Sequence, residues 1–319
     1  MSDSIFQGLL SGRKFSYSTL RDHPGEIAEF LKIWWGNHSP HLNCNLAGPE
    51  TLLDDDEILD ETRYKERAIL SDISFPNPAT GFAFFSEGLS YSSVPRRDAF
   101  QDYVAKYLFN NSPRFAEGGF AVFCGGGNGA GKSSSLKFIY PDSKRMPIFG
   151  ADMIKDLIPE YHQIQQVGDW RASLVVHEEA VQIVNKLMRL HVASGHAFVL
   201  DSTMSNVQQT LERLAYVKGH GYVVRLVGVC TDLAVARKRC MERAQGTFRF
   251  ITPQSFVSTH REFALKLPTF LEFAEEAHLF WNSDGSRDPR IMARKSLGDS
   301  NINVLDQDAF ERSMLVDIV

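Results

Sequence analysis

Hydrophobic and polar positions along this chain fall into two textures that change near residue 115. Before it, apolar residues are scattered among Pro, Asn and Ser, and the spacing predicts helices over 24–35 and 97–109. After it, short apolar runs and longer amphipathic runs alternate in the manner of an α/β protein. The apolar runs predict strands at 120–124, 147–149, 197–200, 222–230 and 278–281. Between them, Val176, Ala180, Ile183, Val184, Leu187 and Leu190 recur at helical spacing and predict a helix over 173–193, with Gly195 as its stop. Further helices are predicted at 207–217, ending near Gly219, and at 233–243. No internal repeat or low-complexity tract interrupts the pattern. The expected architecture is a mostly parallel sheet flanked by helices over 116–319, preceded by a mainly helical N-terminal extension over 1–115.

The predicted strand at 120–124 runs into Gly125-Gly-Gly-Asn-Gly-Ala-Gly-Lys-Ser-Ser134. Residues 126–133 fit the phosphate-binding pattern G-x-x-x-x-G-K-[ST], and the Pro-free segment 133–140 can begin a helix. Strand, loop and helix in that order are the context a true phosphate loop requires. Gly126, Gly127, Asn128, Gly129, Ala130 and Gly131 would curl the backbone round an anion, and the helix N-terminus, with Ser134 in its first turn, would add its dipole. Lys132 would bring charge to the β- and γ-phosphates, and the Ser133 hydroxyl would ligate Mg²⁺. A nucleotide with Mg²⁺ is therefore expected, although the loop alone does not separate a kinase from an ATPase motor or a GTPase switch. The order loop, strand, long helix, strand ending in Asp, helix, strand, basic helix is the layout of small P-loop kinases with a lid.

Composition narrows the partners. The chain of 319 residues has a formal net charge of −5, which argues against nucleic acid or a membrane surface as a partner. Cys44, Cys124, Cys230 and Cys240 show no C-x-x-C spacing, as expected for a reduced, cytoplasmic chain. No apolar stretch is long enough to span a bilayer and no signal-peptide pattern stands at the N-terminus, although delivery into another cell by a specialised route would leave no such mark.

Acids and arginines supply the remaining chemistry. Asp152 follows a predicted strand, where it could take the proton of an attacking hydroxyl or merely cap a helix. Asp201 closes another strand and could reach Mg²⁺ or cap the next helix. Thr203 and Ser205 could touch a substrate hydroxyl or serve a turn. Arg237, Lys238, Arg239, Arg243 and Arg249 could form an arginine lid for the transferring phosphoryl group, or a solvated helix face. The histidines lack zinc-binding spacing, no G-x-S-x-G elbow occurs, and Asn185-Lys-Leu-Met188 fails as a guanine-reading motif.

Taken in order, residues 119–295 resemble the zeta-toxin family of P-loop kinases. The resemblance rests on the phosphate loop with Lys132, on Asp152-Met-Ile-Lys155 followed by Pro159 and Tyr161, on Glu178-Glu179-Ala180 with Val199-Leu-Asp201-Ser-Thr203, and on Arg239 to Arg243 with Arg249. It implies Asp152 as catalytic base, Lys132, Arg243 and Arg249 as catalytic cations, and Glu179, Asp201, Thr203 and Arg239 as substrate contacts. It also implies ATP/Mg²⁺-dependent phosphorylation of a nucleotide-sugar hydroxyl, UDP-N-acetylglucosamine first, by a toxin or effector. A related branch phosphorylates NAD on its adenosine ribose. A nucleotide-driven switch without a phosphorylated acceptor is the rival reading. Where many members carry an acid, two positions before the base, this chain has Gly150. The family also implies an antitoxin partner, and the acidic run at 54–61 reads either as a solvated or helix-capping stretch or as an inhibitory segment in cis.

Overall fold

The computed structural model describes residues 76–77, 82–83, 97–115, 118–141, 146–158, 161, 173, 176–247, 249, 251, 253–283 and 289–314. The expected helix at 24–35 and the acidic run at 54–61 lie outside the described residues. In chain order the elements are β1 (Pro76–Asn77), β2 (Phe82–Ala83), α1 (Arg97–Asn111), β3 (Phe120–Gly125), α2 (Lys132–Ile139), β4 (Ile148–Phe149) and α3 (Ala151–Lys155). There follow α4 (His177–Ala193), β5 (Phe198–Asp201), α5 (Val207–Gly219), β6 (Val223–Cys230), α6 (Leu233–Thr247) and α7 (Pro253–Phe273). The chain closes with β7 (Glu276–Trp281), β8 (Arg290–Lys295), β9 (Asn303–Val304) and α8 (Gln307–Met314). Among the described residues, no helix is long and apolar enough to cross a membrane.

The chain divides into two compact units. One, residues 105–150, 184–238 and 256–319, contains a seven-stranded sheet in the order β4-β5-β3-β6-β7-β8-β9. From β4 to β7 every pairing is parallel, while β8 and β9 add on antiparallel. The fold is thus the expected P-loop kinase-like α/β arrangement. All six residues of β3 are buried, as its unbroken apolar run requires of a strand covered on both faces. Val122, Cys124, Val199, Val227, Val229 and Phe280 belong to one core cluster beside this strand. Because β3 lies between β5 and β6, its C-terminal end is the place where strand order reverses, the usual ligand position in such sheets. The Asn206 side chain caps α5 by accepting from the Gln209 N–H at 3.1 Å, so Asp201 is not that helix's cap.

The long helix α7 is absent from the sequence prediction. Its stripe Phe256, His260, Phe263, Leu267 and Phe270 is buried at alternating steps of four and three. Phe263 and Leu267 come down on the sheet at Gly228, where a Cβ would lie 3.3 and 3.6 Å from their rings and methyls respectively. Helix α4 begins at His177, four residues later than its periodicity predicts.

The other unit comprises residues 1–104, 151–183 and 239–255. Its described interior includes Val104, Ile154, Ile158, Tyr161, Val176, Ala180 and Ala244. Gln101 of α1 is buried here, its Nε2 donating to Gln182 Oε1 at 2.8 Å and to Glu179 Oε1 at 3.4 Å.

Candidate active site

In the sheet-bearing unit the phosphate loop leaves β3 after Gly125 and enters α2 at Lys132. Within the loop the Ala130 N–H donates to Gly127 O at 3.2 Å, and the Gly126 N–H reaches Thr203 O at 3.4 Å. Ser134 and Ser135 N–H groups both close on Gly131 O, at 3.1 and 3.2 Å, which starts the helix. Lys132 Nζ donates to Gly126 O at 2.9 Å and Gly127 O at 3.3 Å, so the ammonium lies across the loop's own carbonyls. Ser133 and Ser134 are exposed at the start of α2. A helix N-terminus, a loop of backbone amides and an adjacent ammonium are the groups that an anion site calls for.

Asp201 ends β5 opposite Cys124 of β3. Burial raises the Cys124 thiol's pKa well above its ordinary value; the Asp201 charge raises it further and the Lys132 charge opposes it. Acid and ammonium are therefore brought to the same end of the sheet. A hydroxyl at Ser133 and a carboxylate at Asp201 are the hard oxygen donors Mg²⁺ prefers. Among the described residues there is no group of three or more His, Cys, Asp or Glu that could hold a metal ion. Thr203 and Ser205 hydroxyls stand 2.8 Å apart and bond each other, round Met204 with its φ of 55°. Gly150 has a steric reason: a Cβ there would strike the Asp201 carbonyl oxygen. No acid fits at that position while the ends of β4 and β5 approach so closely.

The other unit gathers Asp152, Arg243 and Arg249. Asp152 lies in the first turn of α3, its carboxylate half exposed, with Lys155 Nζ 3.1 Å from Oδ1. Lys155 is itself buried and also donates to Ser173 Oγ at 2.8 Å. The Lys155 charge holds the Asp152 carboxyl well below the usual range; partial burial opposes this, and Arg243 and Arg249 reinforce it. Arg249 forms an ion pair with Asp156 at 2.7 Å. Burial works against its charge, but Tyr161, Asp152 and Asp156 outweigh burial and raise its pKa. Arg239 precedes Arg243 by one turn on α6 and is half-buried. Glu179 in the first turn of α4 is fully buried and accepts from Gln101, so its carboxylate faces protein. The sequence reading gave no role to Lys155, Asp156 or Tyr161. An Asp and a Lys three apart on a helix was the available signal.

The zeta toxin family model matches residues 108–278, more than half of the chain. The chain belongs to the zeta toxin family. Among solved structures, this zeta toxin chain is similar to the AvrRxo1-ORF1:-ORF2 complex, with a TM-score of 0.57 at 13% identity over 69% of this chain and 73% of that one. The same complex with ATP matches with a TM-score of 0.55 at 12% identity, covering 71% and 74% of the two chains. The PezAT chromosomal toxin–antitoxin system of Streptococcus pneumoniae matches with a TM-score of 0.51 at 15% identity, covering 72% of this chain and 97% of that one. At these identities the likeness is one of fold. A curated relative, the calmodulin calcium-dependent NAD kinase of Arabidopsis thaliana, is 25% identical over 238 residues. That match takes in 59% of this zeta toxin chain, which spans less than half of the relative's length, 44%.

Proposed function

We propose that this protein is an ATP-dependent small-molecule kinase, transferring the γ-phosphoryl group to a hydroxyl of a nucleotide-derived metabolite and acting as a toxin or effector. The observation that carries the reading is the complete phosphate loop at the C-terminal end of the central strand, with Lys132 and Asp201 at the same sheet end. The solved complex of a similar fold with ATP supports it.

The loop amides and Lys132 hold and neutralise the triphosphate, and α2 presents its N-terminus to the phosphates. Lys132 leaves the Gly126 and Gly127 carbonyls when phosphate oxygens replace them as acceptors. Ser133 and Asp201 would hold Mg²⁺, which when bound would supply positive charge to the triphosphate. Asp152 accepts the acceptor hydroxyl's proton, and its low pKa keeps it ionised for that task throughout the neutral range. A carboxylate so stabilised is a weak base, which suits a loose transition state in which orienting the nucleophile matters more than deprotonating it early. Arg243 and Arg249 neutralise charge on the transferring group, and Thr203 and Arg239 serve the acceptor; Glu179 is buried against Gln101 and is given no contact with the acceptor.

Two acceptors are in view. The family resemblance points to UDP-N-acetylglucosamine, and the curated relative is named for NAD. The relative's name supports NAD as the alternative acceptor to be tested beside it. Incubation with ATP and Mg²⁺ plus each acceptor separately, followed by mass spectrometry, decides the acceptor: one gains a phosphoryl group and the other does not. A protein partner of the antitoxin kind remains part of the proposal, supported by the complexes among its structural neighbours.

A further inference from the structure

The phosphate-loop motif leaves its second to fifth positions open, yet two of them are held by a helix more than a hundred residues later in the chain. Asn128 turns toward α7. Its side-chain Nδ2 donates to Thr259 Oγ1 at 3.1 Å, and its backbone N–H approaches the same oxygen at 3.4 Å. The Thr259 hydroxyl spends its own proton on Phe256 O at 2.9 Å, so its one donor and both acceptor positions are used. On the other side, His260 Nε2 lies 2.9 Å from Asn128 O. A carbonyl only accepts, so the ring must carry its proton on Nε2. Burial keeps the imidazole neutral, lowering its pKa to about 4; the bond to Asn128 opposes this and the Lys132 charge adds to it. The same ring fills the space beside Gly127, where any Cβ would strike it.

His260 occupies a position of the α7 stripe otherwise filled by Phe256, Phe263, Leu267 and Phe270. A leucine there would continue the apolar face without a buried polar ring to satisfy. What the histidine adds is the bond to Asn128. We infer that Thr259 and His260 are positioning residues for the phosphate loop: they fix Asn128 from outside and thereby set nucleotide affinity. The inference rests on the nucleotide-binding reading above. It also explains why Gly127 and Asn128 stand at positions the motif itself does not constrain.

The test is calorimetric titration of ATP/Mg²⁺ into the full chain, with acceptor KM and thermal midpoint measured alongside. Thr259→Val replaces a hydroxyl by a methyl without opening a cavity, and should weaken ATP binding by about 3–10-fold. His260→Ala should weaken it by about tenfold or more, and His260→Gln, whose amide N–H can still reach Asn128 O, should recover part of the loss. In an Asn128→Ala background, Thr259→Val should cost less than it does alone, because the shorter of the two bonds from residue 128 to Thr259 is already gone and only the backbone N–H contact remains to lose. Acceptor KM should stay unchanged throughout. If His260→Ala does not fold, Thr259→Val and His260→Gln decide the matter. Folded Thr259→Val that binds ATP as tightly as wild type, or losses that simply add to that of Asn128→Ala, would overturn the inference while leaving the kinase reading intact. Wild-type protein that binds no ATP would overturn the kinase reading instead.

Discussion

Lys155 Nζ stands 3.1 Å from Asp152 Oδ1, one helical turn away on α3, and is buried where the carboxylate is half exposed. The pairing fixes the carboxylate's orientation and its charge together. A buried ammonium needs its counter-ion, so the acid beside it is held ionised.

The sign of the resulting pH dependence follows. A carboxylate whose folded pKa is depressed stays charged above its unfolded value, and loses that charge only as pH falls through the lowered folded value. Wild-type kcat/KM should therefore show no Asp152 limb between pH 5 and 8, roughly the range over which an unperturbed carboxylate is already ionised. In Lys155→Met the acid limb should move to higher pH, and kcat should fall more than the KM for ATP rises. A profile identical to wild type would remove Lys155 from this role.

Asp152→Asn should lower kcat by roughly two to four orders of magnitude, with little change in ATP affinity. Steady-state kinetics on both substrates checks this; a variant with normal turnover would leave Asp152 as no more than the partner of Lys155.

Arg249 is paired with Asp156, while Arg243 and Arg249 both act on Asp152. Removal of either guanidinium should cost kcat by about 10²–10³-fold. Lysine should rescue Arg249 poorly, because an ammonium cannot reproduce a planar guanidinium that meets both Asp156 and Tyr161. Insensitivity at Arg239, Arg243 and Arg249 alike would restore the reading of this basic run as a solvated face.

His191 and His260 give a separate prediction about stability. His191 is buried among Phe109, Phe149 and Phe198, and burial, reinforced by His196, lowers its pKa to about 4. Both rings are neutral when folded, whereas in the unfolded chain they bind protons below about pH 6.5. The unfolded state thus holds more protons from that pH downward, and stability should fall as pH drops from about 6.5 toward 4. For His191 alone the loss is on the order of 3 kcal/mol. Denaturant titrations at several pH values check the slope, and His191→Phe should flatten it.

Much of this was legible in the sequence because buried parallel strands and the phosphate loop are both local signals. The run at 120–124 needed no partner to be read, and the strand at 222–230 was placed to within one residue. Helix α7 was hidden by Pro268 in its interior and by a histidine in its apolar stripe, although the stripe's spacing was there to be found. Strands β8 and β9 escaped for another reason. Arg290–Lys295 is mostly charged or half exposed, and its strand state comes from pairing with β7 rather than from its own pattern. The candidate chemistry at Asp152 and Asp201 could be named from strand ends. The contacts that hold those residues and the loop, from Lys155, Thr259 and His260, depend on positions brought together only by folding.

The central claim is phosphoryl transfer from ATP to a small-molecule hydroxyl, and the most direct measurement is acceptor phosphorylation followed by mass spectrometry in wild type and Lys132→Ala. Wild type should convert ATP to ADP and add one phosphoryl group to NAD or UDP-N-acetylglucosamine in equal amounts, and a folded Lys132→Ala should do neither. ADP formed with no phosphorylated acceptor, or a Lys132→Ala protein as active as wild type, would contradict the account.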